Sequence, residues 1–170
     1  MAIEPLLWFC LEHGTSIAEE GLALSIDRRA GETILLFRTD SVTFRARFYA
    51  PGSPQIACDA LFFYKHRDSP PVLVFVELKG ANLGHALEQL KATICAIKPR
   101  VEGAVRASTK YLALVVSDGA RPTTRLNKQR AFEAATNVDL RIQWMQRGKR
   151  AVDLRKVLQA VDDLKPFVAE

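Results

Sequence analysis

The sequence predicts an α/β protein with a central mixed β-sheet flanked by helices. Long apolar runs rich in β-branched residues, such as Pro71–Gly80 and Tyr111–Ser117, are typical of strands buried on both faces. Stretches with helical periodicity lie between these runs and after them. Strands that alternate with helices in this way build a sheet with helices packed on it. We therefore expect an α/β sandwich around one mixed sheet.

The length and composition indicate one ordinary globular domain spanning residues 1–170. The hydrophobic fraction of 48% and the charged fraction of 25% are those of a soluble protein, and no apolar run approaches the roughly 20 residues of a membrane span. Cys10, Cys58 and Cys95 are scattered without metal-ligand spacing, which indicates reduced thiols. We expect a cytoplasmic protein without a membrane partner.

The N-terminal region predicts helices. An apolar stripe with helical spacing covers Met1 to about His13. A second helical stretch, starting near Thr15, contains the two adjacent acids Glu19 and Glu20.

Two strands are predicted next, Thr33–Arg38 and Val42–Tyr49. Apolar and polar residues alternate in the second, which places Arg45 and Arg47 on a half-exposed face. These arginines are either solvated or in contact with a phosphate backbone.

A β-hairpin is predicted from Ile56–Tyr64 and Pro71–Gly80, because the segment between them has turn chemistry. With its turn in the middle of that segment, Asp59 lies directly opposite Glu77, and Lys79 shares a face with Glu77. Opposed β-carbons lie roughly 5 Å apart, where like charges repel. A buried carboxylate is costly unless it is paired or binds a metal. The hairpin therefore predicts a divalent cation with oxygen ligands, such as Mg²⁺, between the two acids.

A helix is predicted from Leu83 to Lys98, with Asn82 as its N-cap and Pro99 as its end. His85 and Gln89 are four residues apart and share one face of its first turns. That face begins just beyond the hairpin, so we expect it to overlook the two acids.

The last third of the chain predicts strands and helices in alternation: strand Tyr111–Ser117, helix Lys128–Thr136, strand Val138–Trp144 and a helix from about Asp153. From residue 98 to residue 150 there are twelve Lys and Arg residues against four Asp and Glu residues. This concentration of positive charge favours a polyanion partner, with a solvated basic face as the alternative. The candidates for contacts to backbone phosphates follow a strand end, and they are Arg121, Arg125, Lys128 and Arg130.

Taken together, Asp59, Glu77-Leu78-Lys79 and Gln89 resemble the motifs of the PD-(D/E)XK nuclease superfamily, which has the restriction-endonuclease-like fold. The helical glutamine is similar to the third motif of the RecB-like and Holliday-junction-resolvase-like branches. The resemblance covers Ile56 to about Lys98, and Cys58 stands where the superfamily pattern has a proline.

The resemblance implies a restriction-endonuclease-like α/β sandwich and a metal-dependent nuclease, which we expect to be a DNA endonuclease in repair or in defence against foreign DNA. Asp59, Glu77 and the backbone carbonyl of Leu78 would bind Mg²⁺, for which Mn²⁺ would substitute. Lys79 would orient the attacking water and stabilise negative charge, and Gln89 would position water or phosphate.

Two further residues and an alternative function stay open. Many members of the superfamily carry another acidic ligand before the sheet, and Glu20 or Glu19 matches it, with two exposed glutamates as the alternative. His85 is a second additional candidate. The expected partners are DNA, with RNA as an alternative, and a second copy of the chain or a protein that supplies targeting. The alternative function is a catalytically inactive nucleic-acid-binding or regulatory subunit that keeps the nuclease fold.

Overall fold

The structure of the protein is a computed structural model that describes residues 7–51, 56–67, 69–79, 82–104, 109–118, 125–145 and 151–168. In these ranges the chain forms strands β1 Leu11–Glu12, β2 Ser16–Glu19, β3 Leu22–Ser25, β4 Glu32–Arg38, β5 Ala60–His66, β6 Val72–Leu78, β7 Lys110–Ser117, β8 Asp139–Trp144 and β9 Val152–Asp153. The α-helices are α1 Val42–Phe48, α2 Leu83–Ala104, α3 Arg125–Thr136 and α4 Leu154–Gln159. None of the described helices is long and apolar enough to cross a membrane.

The central sheet has six strands in the order β1-β4-β5-β6-β7-β8. Its first four strands pair antiparallel, whereas β6, β7 and β8 pair parallel through the crossover helices α2 and α3. A three-stranded sheet, β2-β3-β9, is separate from it. The structure thus confirms an α/β protein with a mixed sheet.

Two apolar cores lie on opposite faces of the central sheet. Alternate side chains of each central strand belong to different cores, as the period of two in a strand requires: Phe63 and Phe75 pack with α1, α2 and α3, while Phe62 and Val74 pack with the small sheet and α4. All seven residues of β6 are buried. The sheet is therefore covered on both faces, and the one acidic residue of β6, Glu77, is buried near the end of the strand.

The predicted hairpin register is confirmed. Ala60 pairs with Val76, and the pairing continues to Tyr64 opposite Val72. Asp59 immediately precedes this ladder, which places it opposite Glu77 at the end where β6 leaves the sheet.

The prediction of a strand at Val42–Tyr49 is wrong, because this segment forms helix α1. The Ser41 side chain caps it by accepting a hydrogen bond from the Phe44 backbone N–H at 3.1 Å. Phe44 and Phe48 are buried and lie one helical turn apart, whereas Val42 is 81% exposed. Two buried residues that are four positions apart are compatible with a strand and with a helix. The N-cap at Ser41 favours the helix.

The prediction of a second helix after Thr15 is also wrong, since β2 and β3 form a hairpin there. Glu20 and Gly21 make its turn, with φ values of 48° and 81°. Positive φ at both central residues is the signature of the two-residue turn that matches strand twist. The first predicted helix fails as well in its described part, because only a short 3-10 turn at Trp8–Cys10 precedes β1.

Helix boundaries differ from the prediction at two places. Pro99 does not end α2, which continues to Ala104 and carries the buried Val101 one turn beyond Ile97 on the same stripe. Burial of Val101 opposes the cost of an internal proline, about 3 kcal/mol. Helix α3 starts at Arg125 rather than at Lys128.

The exposed edge of the central sheet, β8, is held by α3. The Leu140 carbonyl accepts a hydrogen bond from Gln129 Nε2 at 3.0 Å, and the Leu140 N–H donates to Glu133 Oε1 at 3.0 Å. Both backbone groups point away from β7, so side chains of α3 occupy the positions that another strand would take.

A buried ion pair joins α4 to β4. Arg155 donates to both carboxylate oxygens of Glu32, Nη2 to Oε2 at 2.8 Å, and Tyr64 Oη donates to Oε1 at 2.8 Å. Burial alone would raise the pKa of Glu32, but these hydrogen bonds outweigh it and lower the pKa to about 2.

We expect this ion pair to contribute to acid stability. Because the pKa is lowered on folding, the contribution is complete above about pH 5 and disappears as the pH falls towards 2. Urea unfolding at several pH values should show that the wild-type protein loses up to about 3 kcal/mol more over this range than Glu32→Gln. Asp162→Asn, at an exposed position, controls for the loss of one negative charge and should behave as the wild type. Equal slopes for the wild type and Glu32→Gln would contradict the assignment.

Candidate metal centre

Two buried carboxyl groups converge where β5 begins and β6 ends. The exposed fractions of Asp59 and Glu77 are 5% and 1%. Asp59 Oδ2 accepts a hydrogen bond of 2.6 Å from the backbone N–H of Leu78, so it caps a strand end where a backbone partner is missing. The structure therefore brings Asp59 together with the Glu77-Leu78-Lys79 segment.

The segment before Asp59 is fixed by α2. Gln89 Nε2 donates to the Ala57 carbonyl at 3.0 Å, and the Cys58 N–H donates to Thr93 Oγ1 at 2.9 Å. Directly after β4, Thr39 Oγ1 donates to the Cys58 carbonyl at 2.5 Å. Hydrogen bonds between these side chains and the backbone of residues 57 and 58 thus fix the segment that carries Asp59.

Glu77 is a buried acid without full compensation. Its Oε2 atom has no hydrogen-bond partner among the described residues. Lys79 is half-buried, its backbone N–H donates to Val116 O at 2.9 Å, and its ammonium group attracts the Glu77 carboxylate. A buried carboxylate oxygen without a partner is costly unless a cation reaches it.

Two more acids complete the cluster, and the sequence analysis identified only one of them. Ligand atoms of Glu19, Asp40 and Asp59 lie within 4.8 Å of one another, a triplet that does not include Glu77. Glu19 is at the end of β2, whereas the neighbouring Glu20 lies exposed in the turn. Of these two candidates, Glu19 is the one that lies near Asp59. Asp40 was missed, although its position directly after a strand was a usable signal.

Arg38 is the counterion of this acidic triplet. Its Nη2 atom lies 3.1 Å from Glu19 Oε1, and its Nε atom lies 3.3 Å from Asp40 Oδ1. No ion pair joins Arg38 to Asp59 among the described residues.

The local environment raises the pKa of both buried acids. For Asp59, burial raises the pKa, the Leu78 N–H lowers it, and the Glu19 and Asp40 carboxylates raise it further, to about 7. For Glu77, burial raises the pKa, Asp59 raises it and Lys79 lowers it, with a net value of about 9. Ionising both groups is thus unfavourable without an additional cation.

The donor set fits a hard divalent cation. The groups are carboxylate oxygens, together with the carbonyl of Leu78 at the same strand end, and Mg²⁺ and Ca²⁺ prefer such oxygen ligands. The ligand oxygens of the acidic triplet all lie within 4.8 Å of one another, which is near enough for carboxylates to share one cation. The unpartnered Glu77 Oε2 is a further donor that the protein itself does not use.

The two predicted residues on α2 differ in their relation to the site. Gln89 uses its amide nitrogen to hold the Ala57 carbonyl, and its Oε1 is buried without a partner among the described residues. Gln89 therefore positions the segment before Asp59. The His85 side chain lies 3.6 Å from Glu88 on the helix surface and has no described contact with the acids.

Of the basic candidates, Lys128 is the one that the structure relates to the site. Its Nζ would lie 3.6 Å from a β-carbon placed on Gly84, in the first turn of α2 just past Lys79. Arg125 and Arg130 are also on α3, half-buried and exposed respectively, and Arg121 lies outside the described residues.

Arg45 and Arg47 are on helix α1 rather than on a strand. The guanidinium of Arg47 lies 4.8 Å from the ring centre of Phe9, and that of Arg100 lies 4.8 Å from the ring centre of Phe48.

Comparisons of this chain with protein-family models, with curated proteins and with solved structures find no match. The functional reading therefore depends on the geometry of the site.

Proposed function

We propose that this chain is a metal-dependent nuclease that hydrolyses phosphodiester bonds of DNA. The observation that carries the proposal is the convergence of Asp59 and Glu77, both buried, with Lys79 at one strand end. The order of these residues and of Gln89 matches the PD-(D/E)XK pattern that the sequence resembles. Mg²⁺ is the proposed cofactor, and Mn²⁺ would substitute for it.

Each residue has a definite role in this proposal. Asp59, Glu77 and the Leu78 carbonyl would hold the cation. A bound Mg²⁺ would supply Lewis-acid chemistry: it would polarise a phosphoryl oxygen, lower the pKa of a water and neutralise charge on the leaving oxygen. Lys79 supplies a compact positive charge that orients the attacking water and stabilises the negative phosphate during attack. Gln89 keeps Asp59 in place.

Substrate binding is assigned to the basic residues beside the acids. The amino group of Lys128, a residue of α3, lies beside the first turn of α2, where it would contact a phosphate next to the cleaved bond. Arg125 and Arg130 would extend this contact along α3. Such phosphate contacts do not depend on the base sequence of the DNA, and the binding affinity that they provide falls steeply as the salt concentration rises.

Cleavage of supercoiled plasmid and of single-stranded DNA in Mg²⁺ or Mn²⁺ tests the function. The wild-type protein should cut and should stop cutting in EDTA. Lys79→Met should lower the rate by about a hundredfold or more, because an electrostatic contact to the transition state is lost. Lys91→Met, at an exposed position of α2, is the matched control and should cut normally.

The alternative of an inactive nucleic-acid-binding or regulatory subunit gives a different result in the same experiment. The wild-type protein and Lys79→Met would then leave all DNA and RNA substrates intact. Both would bind nucleic acid with an affinity that falls steeply as salt rises. That outcome would overturn the nuclease proposal.

A further inference from the structure

The acidic cluster contains a protein cation where a second metal ion would be expected. Glu19, Asp40 and Asp59 have oxygens close enough to share an ion, and nuclease sites with this many acids can hold two. Yet Arg38 lies between Glu19 and Asp40, donating from Nη2 to Glu19 Oε1 at 3.1 Å and to Asp40 Oδ2 at 3.4 Å. Two of the three acids of the triplet are therefore already engaged.

The remaining acids are left to an external cation. Asp59 has no described ion pair with Arg38, and Glu77 Oε2 is buried without a partner among the described residues. The unpaired oxygen is an observation independent of the acidic triplet, and it points to a positive ligand beside Asp59. The cluster thus has two parts. Arg38 neutralises Glu19 and Asp40, whereas it forms no described ion pair with Asp59 or Glu77.

The charges of the described site support one metal ion. Four carboxylates, Glu19, Asp40, Asp59 and Glu77, face two protein cations, Arg38 and Lys79. One divalent ion added to these two cations balances the four acids, whereas a second divalent ion would leave excess positive charge next to a guanidinium. Coulomb repulsion from the guanidinium would oppose the binding of a second divalent ion in this partly buried site.

We propose that Arg38 is an internal substitute for a second metal ion and restricts the site to a single divalent cation at Asp59, Glu77 and the Leu78 carbonyl. This inference rests on the proposed metal site. Arg38 acts as a specificity residue, because it stabilises Glu19 and Asp40 in place and keeps both from binding an ion. Its side chain is 30% exposed, so no deep core depends on it.

Manganese titration tests the inference without any activity measurement. Free Mn²⁺ is measured by electron paramagnetic resonance as MnCl₂ is added to the full chain at neutral pH. The wild-type protein should take up one equivalent. Arg38→Met removes the charge and the donors but keeps an unbranched apolar side chain, and it should take up a second equivalent. Arg38→Lys keeps a positive charge and should stay at one, as should the distant control Lys91→Met.

The outcomes separate this inference from the proposed function. Uptake of two equivalents by the wild type, or of only one by a folded Arg38→Met, would overturn the role of Arg38 and leave the metal site standing. No uptake by the wild type would overturn the metal site itself, and this inference with it.

A measurement on the wild type alone covers the case in which Arg38→Met does not fold. Crystals soaked in Mn²⁺ should give one anomalous peak, against the oxygens of Asp59 and Glu77, with the Arg38 guanidinium still between Glu19 and Asp40. A manganese peak between Glu19 and Asp40, with Arg38 displaced, would contradict the proposal.

Discussion

Glu77→Gln is expected to stabilise the metal-free protein and to abolish its stabilisation by Mg²⁺. Folding buries this carboxyl group beside Asp59 and raises its pKa from 4.5 to about 9. The folded state therefore binds a proton more tightly than the unfolded state, and stability present below about pH 4.5 is lost as the pH rises towards 9. At pH 8 glutamine removes this penalty, which amounts to up to about 5 kcal/mol.

Urea unfolding in EDTA at pH 5 and pH 8, followed by thermal melts with and without Mg²⁺, measures both effects. The wild-type protein should lose stability between the two pH values and regain it with Mg²⁺. Glu77→Gln should lose less, because only the raised pKa of Asp59 remains, and it should gain no stability from Mg²⁺. Glu88→Gln, with a side chain 70% exposed on α2, is the control and should behave as the wild type. A Glu77→Gln protein that is less stable in EDTA at pH 8 would contradict the account.

Asp59→Asn and Asp59→Ala should both lose activity but differ in stability. Either change removes a proposed ligand, and we expect DNA cleavage to fall by about a thousandfold or more. Asparagine keeps an oxygen that can accept from the Leu78 N–H, so its fold should be at least as stable as the wild type without metal. Alanine leaves that buried N–H without a partner, which costs about 1–3 kcal/mol.

The comparison needs cleavage rates and unfolding free energies for both variants and for the wild type. If Asp59→Asn cuts DNA at the wild-type rate, Asp59 is not a metal ligand. If both variants are equally stable in EDTA, the hydrogen bond to Leu78 has no structural value.

The core of the site could be predicted because it depends on short-range information. Two apolar runs and a short turn specify an antiparallel register, and the register alone places Asp59 opposite Glu77. The next strand, β7, is indicated by its continuous apolar run, which only a sheet covered on both faces can bury. Such features need no knowledge of distant contacts.

The remainder of the site depends on contacts between distant segments. Glu19 reaches Asp59 only because β2 belongs to a hairpin, and the Glu20-Gly21 turn was read as part of a helix. Arg38 forms an ion pair with Glu19, which belongs to the small sheet. The contacts of Arg38 and Asp40 with Glu19 therefore depend on how the two sheets pack. In α1, the spacing of Phe44 and Phe48 fits two periods, and the capping Ser41 is the local signal that favours the helix.

The clamp of α3 on Leu140 also bears on how two copies of this chain would associate. A sheet that runs on from one molecule into the next requires free donors and acceptors along its border, and at Leu140 these are already taken by Gln129 and Glu133. A dimer of this protein is therefore expected to assemble through side-chain surfaces instead of by strand addition at this point. Because these backbone groups are occupied, the edge of β8 at Leu140 is also a poor template for aggregation by strand addition.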